Sequence, residues 1–160
     1  MKFFNKYKLG WLRFGKLFLM LWILYLIISG MFLGVAHVKG ESMEPTLKDG
    51  QLLLYNRMNK DYYPGKIVAI KMPSGEKFVK RIIAVEGDVI DIRDGNLYIN
   101  NEIREEEYVK GRTFPDSQIY PFTVDENCYF VLGDNREGSI DSRTFGQISE
   151  EQIKGIVLEK

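Results

Sequence analysis

Apolar residues follow two different patterns along the chain. Residues 17–36 form a run of 20 consecutive uncharged residues, most of them Leu, Ile, Phe, Met or Trp. As a helix rising about 1.5 Å per residue, this run would span roughly 30 Å, the thickness of a bilayer core. Beyond residue 42 the apolar residues occur instead in short runs separated by Gly, Pro, Asp and Asn. The first pattern predicts a transmembrane helix, and the second predicts a domain of short strands.

The strand predictions rest on apolar runs of four to nine residues bounded by turn residues. Asp94-Gly95 separates two such runs and is typical of a tight hairpin. A short helix is expected to begin at Ser149, with Gln152 three residues later as a capping box, whereas the charged, turn-rich residues 101–123 indicate an excursion from the core. The fold class is therefore mainly β: a single N-terminal transmembrane helix followed by a compact, antiparallel, barrel-like domain. The predicted strands are 51–55, 66–72, 77–85, 89–93, 96–99, 128–132 and 155–159.

Basic residues before the apolar run set its predicted orientation. Residues 1–16 contain five Lys and Arg residues, and no Asp or Glu occurs before Glu41. The positive-inside rule then places the amino terminus in the cytoplasm. We expect a basic cytoplasmic tail at 1–16, a transmembrane helix at 17–36 and an extracytoplasmic domain at 37–160. A cleaved signal peptide is the alternative, but its apolar region is normally about 7 to 15 residues long, shorter than the run found here.

The charge balance and the cysteine content exclude several classes of function. Six of the 22 basic residues and none of the 22 acidic residues lie in 1–40, which leaves 16 basic and 22 acidic residues and a net charge of −6 for the rest. An acidic domain does not suit nucleic-acid binding, which needs clustered Lys and Arg. Cys128 is the only cysteine, so no intramolecular disulfide can form, and its apolar surroundings in the sequence indicate a buried hydrophobe rather than a reactive thiol.

Ser42, close to the end of the apolar run, is a candidate nucleophile that needs a base. The chain has one histidine, His37, which could serve Ser42 only if the chain folded back sharply at the membrane edge. Lys80 follows Ser42 by 38 positions, in an apolar stretch. A lysine accepts a proton only when burial lowers its pKa from about 10.4 toward 7 or 8. Phe78, Ile82 and Ala84 share the predicted strand face of Lys80 and could provide that burial, although a strand lysine is more often a solvated edge residue.

A third segment, residues 133–143, is dense in turn formers and alternating charges and follows an apolar strand. Two interpretations of this segment are open. It is either a polar turn held by pairs of Asp and Arg, or a loop that positions a catalytic group.

Together, three segments resemble in their order the boxes of type I signal peptidases, the Ser/Lys membrane proteases that remove signal peptides from exported proteins. Residues 42–47 resemble the serine box, 80–88 the lysine box and 133–143 the most diagnostic box. The resemblance covers the apolar run and nearly the whole domain. The 44 residues between Asp88 and Gly133 are few, which resembles the compact Gram-positive form. The resemblance implies a membrane-anchored serine endopeptidase that cuts exported preproteins after small residues (Ala-x-Ala) through an acyl-enzyme.

The same resemblance implies roles for individual residues. Ser42 would be the nucleophile and Lys80 the general base. Ser139 would hydrogen-bond and orient the Lys80 side chain, and Asp141 and Arg143 would form a structural pair behind the site. No metal or cofactor is implied.

The resemblance also implies how substrate would be held. The backbone N–H of Ser42 would stabilise the oxyanion; some relatives add a serine hydroxyl two residues earlier, where this chain has Gly40, so the second donor stays open. Shallow pockets would select small side chains. The residues that would form these pockets are Val38, Met43, Leu47, Phe78 and Val79.

The predicted location is the cell membrane, with one pass and an extracytoplasmic catalytic domain. The expected partners are secretory preproteins, either in general or as a dedicated set such as pilin-like surface proteins, and the lipid bilayer. Two rival functions remain: a self-cleaving repressor-type Ser/Lys protease, which would lack the anchor, and a non-catalytic assembly factor, which would typically lack the serine or the lysine. Both residues are present here.

Overall fold

A long helix passes directly into a β domain without a linker. The computed structural model describes residues 2–158, with side chains for 14–27 and 30–158 among them. Helix α1 covers Lys2–Phe32 and strand β1 covers Leu33–His37. The predicted helix end at residue 36 is therefore wrong. From Leu33 onward the backbone pairs with another strand, and Gly34 permits this because a Cβ atom there would overlap the Tyr55 ring.

The domain contains ten further strands and three short helical turns. The strands are β2 (Leu52–Asn56), β3 (Ile67–Lys71), β4 (Lys77–Val85), β5 (Val89–Arg93), β6 (Asn96–Ile99), β7 (Glu102–Ile103), β8 (Phe122–Thr123), β9 (Cys128–Leu132), β10 (Ile148–Ser149) and β11 (Ile153–Val157). Helix α2 covers Ser142–Phe145, and two single 3-10 turns cover Arg136–Gly138 and Glu150–Gln152.

The strand predictions are confirmed where alternation was clear. Four strands have the predicted bounds (β4, β5, β6 and β9), and β2 and β3 differ from prediction by one residue at each end. The last predicted strand begins two residues earlier than expected and ends at Val157; its final predicted residue, Glu159, lies outside the described residues. The expected helix at Ser149 is a single 3-10 turn, with the Gln152 side chain accepting the Ser149 N–H at 2.8 Å.

The strands form two antiparallel sheets. The larger sheet has seven strands in the order β1-β2-β11-β3-β4-β9-β10, and the smaller has the order β7-β6-β5-β8. The hairpin between β5 and β6 turns at Asp94 and Gly95, which have φ of 54° and 81°, as a two-residue turn requires. The prediction of a mainly antiparallel β domain after one N-terminal apolar helix is confirmed; the larger sheet is open, with β1 and β10 at its edges.

One hydrophobic cluster anchors the loop that carries Ser42. Met43, the residue after Ser42, is 1% exposed, and Leu47 is 5% exposed. Both pack with residues of β2, β3 and β11, so the loop between β1 and β2 is fastened to the sheet on either side of residue 44. The buried members of this cluster are Val38, Met43, Leu47, Leu53, Ile67 and Val157.

The segment between β7 and β8 supports the loop after β9. The Lys110 N–H donates to the carbonyl of Asp134 at 2.8 Å, and the Arg136 N–H donates to the carbonyl of Lys110 at 2.9 Å. The predicted excursion over residues 101–123 therefore runs beside the loop that begins at Gly133.

Candidate active site

The structure brings Ser42 and Lys80 together. Ser42 lies in the loop between β1 and β2, and Lys80 lies on β4. The Lys80 Nζ atom donates a hydrogen bond to Ser42 Oγ at 2.7 Å. A serine hydroxyl within hydrogen-bond reach of an amine is the arrangement that nucleophilic catalysis by a Ser/Lys pair requires.

Hydrogen bonds from the loop after β9 hold the backbone around Ser42. The Asn135 N–H donates to the Ser42 carbonyl at 3.1 Å, and the Asn135 side-chain amide donates to the Glu41 carbonyl at 3.2 Å. Gly133 lies against the same backbone, and a Cβ atom at this position would overlap both the Ser42 carbonyl and the Ser139 side chain. The close approach of these two loops therefore requires glycine at 133.

Burial makes Lys80 a weak base for a lysine. Its side chain is 2% exposed, and Nζ lies 5.8 Å from the centre of the Phe78 ring. Burial lowers the pKa of Lys80 to about 8, opposed by the negative charge of Asp141. A lysine with this pKa has a substantial neutral fraction near neutral pH and can then accept a proton.

The surroundings of Lys80 differ in one respect from prediction. Phe78 and Ile82 pack in one hydrophobic cluster, but Ala84 packs in another. The cause is an irregularity in the pairing of β4 with β9 between Ile82 and Ala84, which shifts the alternation of side chains. The prediction that Ala84 shares the face of Lys80 is therefore wrong.

His37 is exposed on β1, opposite Leu52. Within the described residues, the hydrogen bond to Ser42 Oγ comes from Lys80, not from His37.

Ser139 lies close to Ser42 without the expected hydrogen bond. Its Oγ atom is buried against Gly133 and has no hydrogen-bond partner among the described residues. Lys80 Nζ is directed at Ser42 Oγ instead. The predicted hydrogen bond between Ser139 and Lys80 is therefore not present in this structure.

Asp141 and Arg143 form a buried ion pair. The two guanidinium nitrogens Nε and Nη2 of Arg143 each donate to the Asp141 carboxylate at 2.8 Å. Asp141 also accepts the Gly133 N–H at 3.1 Å, and Arg143 donates to the Arg136 carbonyl at 2.6 Å. This pair consequently ties the beginning of the loop after β9 to its 3-10 turn.

A second buried charge network was missed by sequence reasoning. Arg81, next to Lys80 on β4, donates to both carboxylate oxygens of Asp134, at 2.9 and 2.7 Å, and stacks on the Tyr108 ring. Arg136 pairs with Glu106 at 2.6 Å. Arg81, Asp134 and Arg136 lie within the predicted boxes. A sequence, however, does not distinguish a buried ion pair from a solvated one.

A groove of about 740 Å³ is lined by both Ser42 and Lys80. Its walls include β1 and the first half of β4. Four of the five predicted pocket residues line it: Val38, Met43, Phe78 and Val79. Leu47 does not; its side chain is directed into the hydrophobic cluster beneath the loop. The prediction of Leu47 as a pocket residue is therefore wrong.

Backbone donors near Ser42 differ in their availability. Within the part of the chain that the structure describes, the Ser42 N–H makes no hydrogen bond. The Gly40 N–H, in contrast, donates to the Asp49 carboxylate at 2.7 Å. Only the former is free to meet a substrate oxygen in this conformation.

Comparison with known proteins identifies the family of this chain. A family model described as signal peptidase, peptidase S26, matches residues 11–159. The chain is 34% identical to signal peptidase IB from Staphylococcus aureus over 152 residues, covering 82% of this chain and 80% of that protein. It is also 34% identical to signal peptidase I from Bacillus amyloliquefaciens over 157 residues, covering 90% of this chain and 84% of that protein.

A solved structure gives the same result. The crystal structure of a signal peptidase I from Enterococcus faecalis V583 superimposes with a TM-score of 0.50 and 30% identity, covering 61% of this chain and 97% of that chain. The sequence and the fold therefore agree, and the chain belongs to the signal peptidase family of serine peptidases, peptidase family S26.

Proposed function

We propose that this protein cleaves signal peptides from exported preproteins, with Ser42 as nucleophile and Lys80 as general base. The observation that carries the proposal is the 2.7 Å contact between Lys80 Nζ and Ser42 Oγ. It is supported by the burial of Lys80, which lowers the pKa of the lysine to about 8. A buried amine beside a hydroxyl, in the lining of a groove, suits acyl transfer to serine.

The reaction has two steps. Neutral Lys80 accepts the Ser42 proton as Oγ attacks the scissile carbonyl carbon, and the resulting ammonium then gives that proton to the departing amine of the mature protein. The ester that remains on Ser42 is the acyl-enzyme. Water attacks this ester while Lys80 accepts a proton from it. Lys80 then gives this proton to Ser42 Oγ as the bond between Oγ and the carbonyl carbon breaks, and the signal peptide leaves with a free carboxylate.

The oxyanion formed in each step is stabilised by the Ser42 N–H. This assignment is supported by the absence of any hydrogen bond to that N–H among the described residues. Preorganised donors of this kind contribute about 3 to 4 kcal/mol each in serine proteases. The Gly40 N–H already donates to the Asp49 carboxylate, so it does not serve as a second donor to the oxyanion in this conformation.

Substrate binds as an extended strand between β1 and β4. β1 is an edge strand, so its backbone groups are available for pairing with a peptide. Val38, Met43, Phe78 and Val79 would surround the substrate side chains next to the cut. Shallow apolar walls of this kind favour small residues of the Ala-x-Ala type.

The apolar helix anchors the enzyme in the membrane that holds its substrate. Phe14–Phe32 is long and apolar enough to cross a bilayer, and this stretch is not buried inside the protein. The basic residues before it support an orientation with the amino terminus in the cytoplasm and the β domain on the other side. Confinement to one surface raises the effective concentration of enzyme and preprotein.

Cleavage of a purified preprotein by the full chain tests the proposal. Ser42→Ala and Lys80→Met should each lower turnover by about 1000-fold or more, because each removes one member of a catalytic pair. Ser117→Ala and Lys60→Met are matched controls at exposed positions and should leave turnover unchanged. Activity of the unaltered enzyme should rise as the pH approaches 8, where Lys80 loses its proton. Near-normal turnover of either variant would exclude the pair.

A further inference from the structure

The groove that leads to Ser42 is strongly basic, although the domain around it is acidic. No Asp or Glu occurs among the described residues that line it. The chain beyond residue 40, in contrast, has 16 basic and 22 acidic residues. The cationic residues of the groove are Lys39, Arg57, Lys71, Lys77, Lys80 and Lys154.

Two of these lysines form a like-charge pair where β3 ends and β4 begins. Lys71 ends β3 and Lys77 begins β4, and the two are direct partners in the antiparallel register. Like charges placed directly opposite each other destabilise a sheet. Both side chains are exposed, and neither forms an ion pair or hydrogen bond within the described residues. The nearby Glu76 carboxylate accepts the Ser74 hydroxyl at 2.9 Å and is not part of the groove lining.

Lys77 lies on the same strand as the proposed base, Lys80. Lys77 precedes Lys80 by three residues on β4, which corresponds to about 10 Å along an extended strand. On the facing wall, β1 leads from the end of α1 toward Ser42. A substrate held in the membrane by its own apolar helix enters from the α1 side. The residues before the scissile bond would therefore occupy the end of the groove near Lys77.

We infer that Lys71 and Lys77 recognise an acidic side chain of the substrate, about four to five residues before the scissile bond. This inference rests on the proposed function, since it needs an extended peptide that ends at Ser42. A Glu or Asp at this position would lie between two cations that have no other counter-ion among the described residues. It would relieve their repulsion and contribute two charge-assisted contacts. The chemical class of preferred substrate is thus a signal peptide with a carboxylate close before its small-residue cleavage motif.

An anionic lipid headgroup is the other chemistry that this pair could attract. Two observations favour the peptide. The lysines line the same groove as Ser42 and Lys80, and Lys77 lies on the strand that forms the groove wall. A contact to lipid would in addition act equally on every substrate, whereas a contact to the substrate carboxylate depends on the sequence being cut.

Cleavage of two matched peptides tests the inference. Both carry the same Ala-x-Ala motif, with Glu or Gln at the fourth residue before the cut, and are cleaved by the full chain in neutral detergent without lipid. We expect kcat/KM to favour the Glu peptide by about 3- to 10-fold at low salt, because two partly exposed ion pairs each contribute modestly. The preference should decrease when salt is raised to about 0.5 M. A Glu at the fourth residue after the cut should give no preference.

Variants separate this pair from general electrostatics. In the double variant Lys71→Gln, Lys77→Gln, the ratio of kcat/KM for the Glu peptide to that for the Gln peptide should fall to about 1. The kcat/KM for the Gln peptide should stay within about 2-fold of the unaltered enzyme's value, since only the charge contact is lost. Lys48→Gln with Lys60→Gln removes the same charge at exposed positions outside the groove and should retain the preference.

Three results would overturn the inference. The first is equal cleavage of both peptides by the unaltered enzyme with normal dependence on Ser42. The second is a preference that survives the loss of both lysines. The third is stimulation of both peptides alike by vesicles of anionic lipid, abolished by the double substitution, which would assign the pair to headgroups. Cleavage that does not depend on Ser42 would instead overturn the proposed function, and this inference with it.

Discussion

Lys80 combines two properties that usually oppose each other, a cationic group and a buried position. Its side chain is 2% exposed, and the positive charge of Arg143 lowers its pKa further, whereas Asp141 and Asp134 raise it. The net result is a pKa of about 8 instead of 10.5. Burial of this kind destabilises the folded protein whenever the lysine must carry its proton.

The cost of burying Lys80 predicts a stability that depends on pH. Between pH 8 and 10.5 the folded protein has lost the proton that the unfolded chain still binds, so stability rises with pH in this window. Lys80→Met has no such group and should be more stable than the unaltered protein at pH 7, by about 3 kcal/mol. The difference should decrease as the pH rises from 8 to 10.5.

Chemical denaturation of both proteins at several pH values measures this difference. Lys60→Met, at an exposed position, serves as the control and should show no comparable gain. A Lys80→Met protein that is less stable than the unaltered one at pH 7 would show that the lysine is not buried at a cost.

Residue roles were predictable only in part. Ser42 and Lys80 are 38 positions apart in a loop and a strand, and their contact depends on packing between non-local elements. The spacing of Lys80 in the sequence fits either a solvated lysine at a sheet edge or a buried general base. The order of the three boxes favours the general base. Leu47 fits a pocket by composition, yet it is directed into the core, because an apolar side chain suits either environment.

At the scale of elements, the segment between β7 and β8 holds the site loop through buried charges. The Glu106 carboxylate pairs with Arg136 at 2.6 Å and accepts the Tyr108 hydroxyl at 2.6 Å. Its side chain is 4% exposed. Removal of one partner from a buried ion pair leaves the other charge without compensation.

Glu106→Ala should therefore destabilise the protein by about 3 to 5 kcal/mol. Glu107→Ala is the matched control, because Glu107 is exposed in the same segment and its loss should change stability by about 0.5 kcal/mol or less. Denaturation midpoints of the two variants measure the difference. Equal midpoints would contradict a supporting role for this segment.

Alternation of apolar residues predicted the long strands but not the segment between β7 and β8. Alternation of apolar residues indicated the bounds of β4, β5, β6 and β9 because these strands have one apolar face toward a core. The supporting segment has only two-residue strands at its ends, and polar side chains make its main contacts to the site loop. Strand β1 was not predicted because it continues the apolar run of α1 without a turn, so its residues were assigned to the helix.

At the scale of the whole molecule, no linker separates helix α1 from the β domain. Helix α1 ends at Phe32 and β1 begins at Leu33, and the Arg57 N–H donates to the Phe32 carbonyl at 2.9 Å. If α1 is the proposed anchor, this junction sets the height of Ser42 above the bilayer. A flexible insertion at the junction would release that constraint.

Six Gly and Ser residues inserted between Phe32 and Leu33 add a flexible segment with a root-mean-square length of about 13 Å. Cleavage of a preprotein held in the same vesicles should fall by about 3- to 10-fold, because the effective concentration of the site decreases with linker length. Cleavage of a short peptide in detergent should not change, which also verifies that β1 still forms. Equal rates on the membrane-held preprotein would show that the height of the site is not limiting.

The direct passage from α1 to β1 should also prevent self-cleavage after the apolar helix. The amino terminus has the basic start and apolar run of a signal peptide, followed by the small residues Gly34 and Ala36. Both residues are paired with β2, and Ala36 also lines the groove, so neither can lie within the groove as a substrate while β1 is formed. A segment that resembles a cleavage motif is thereby held in a strand, and we expect the folded enzyme to keep its leader-like helix.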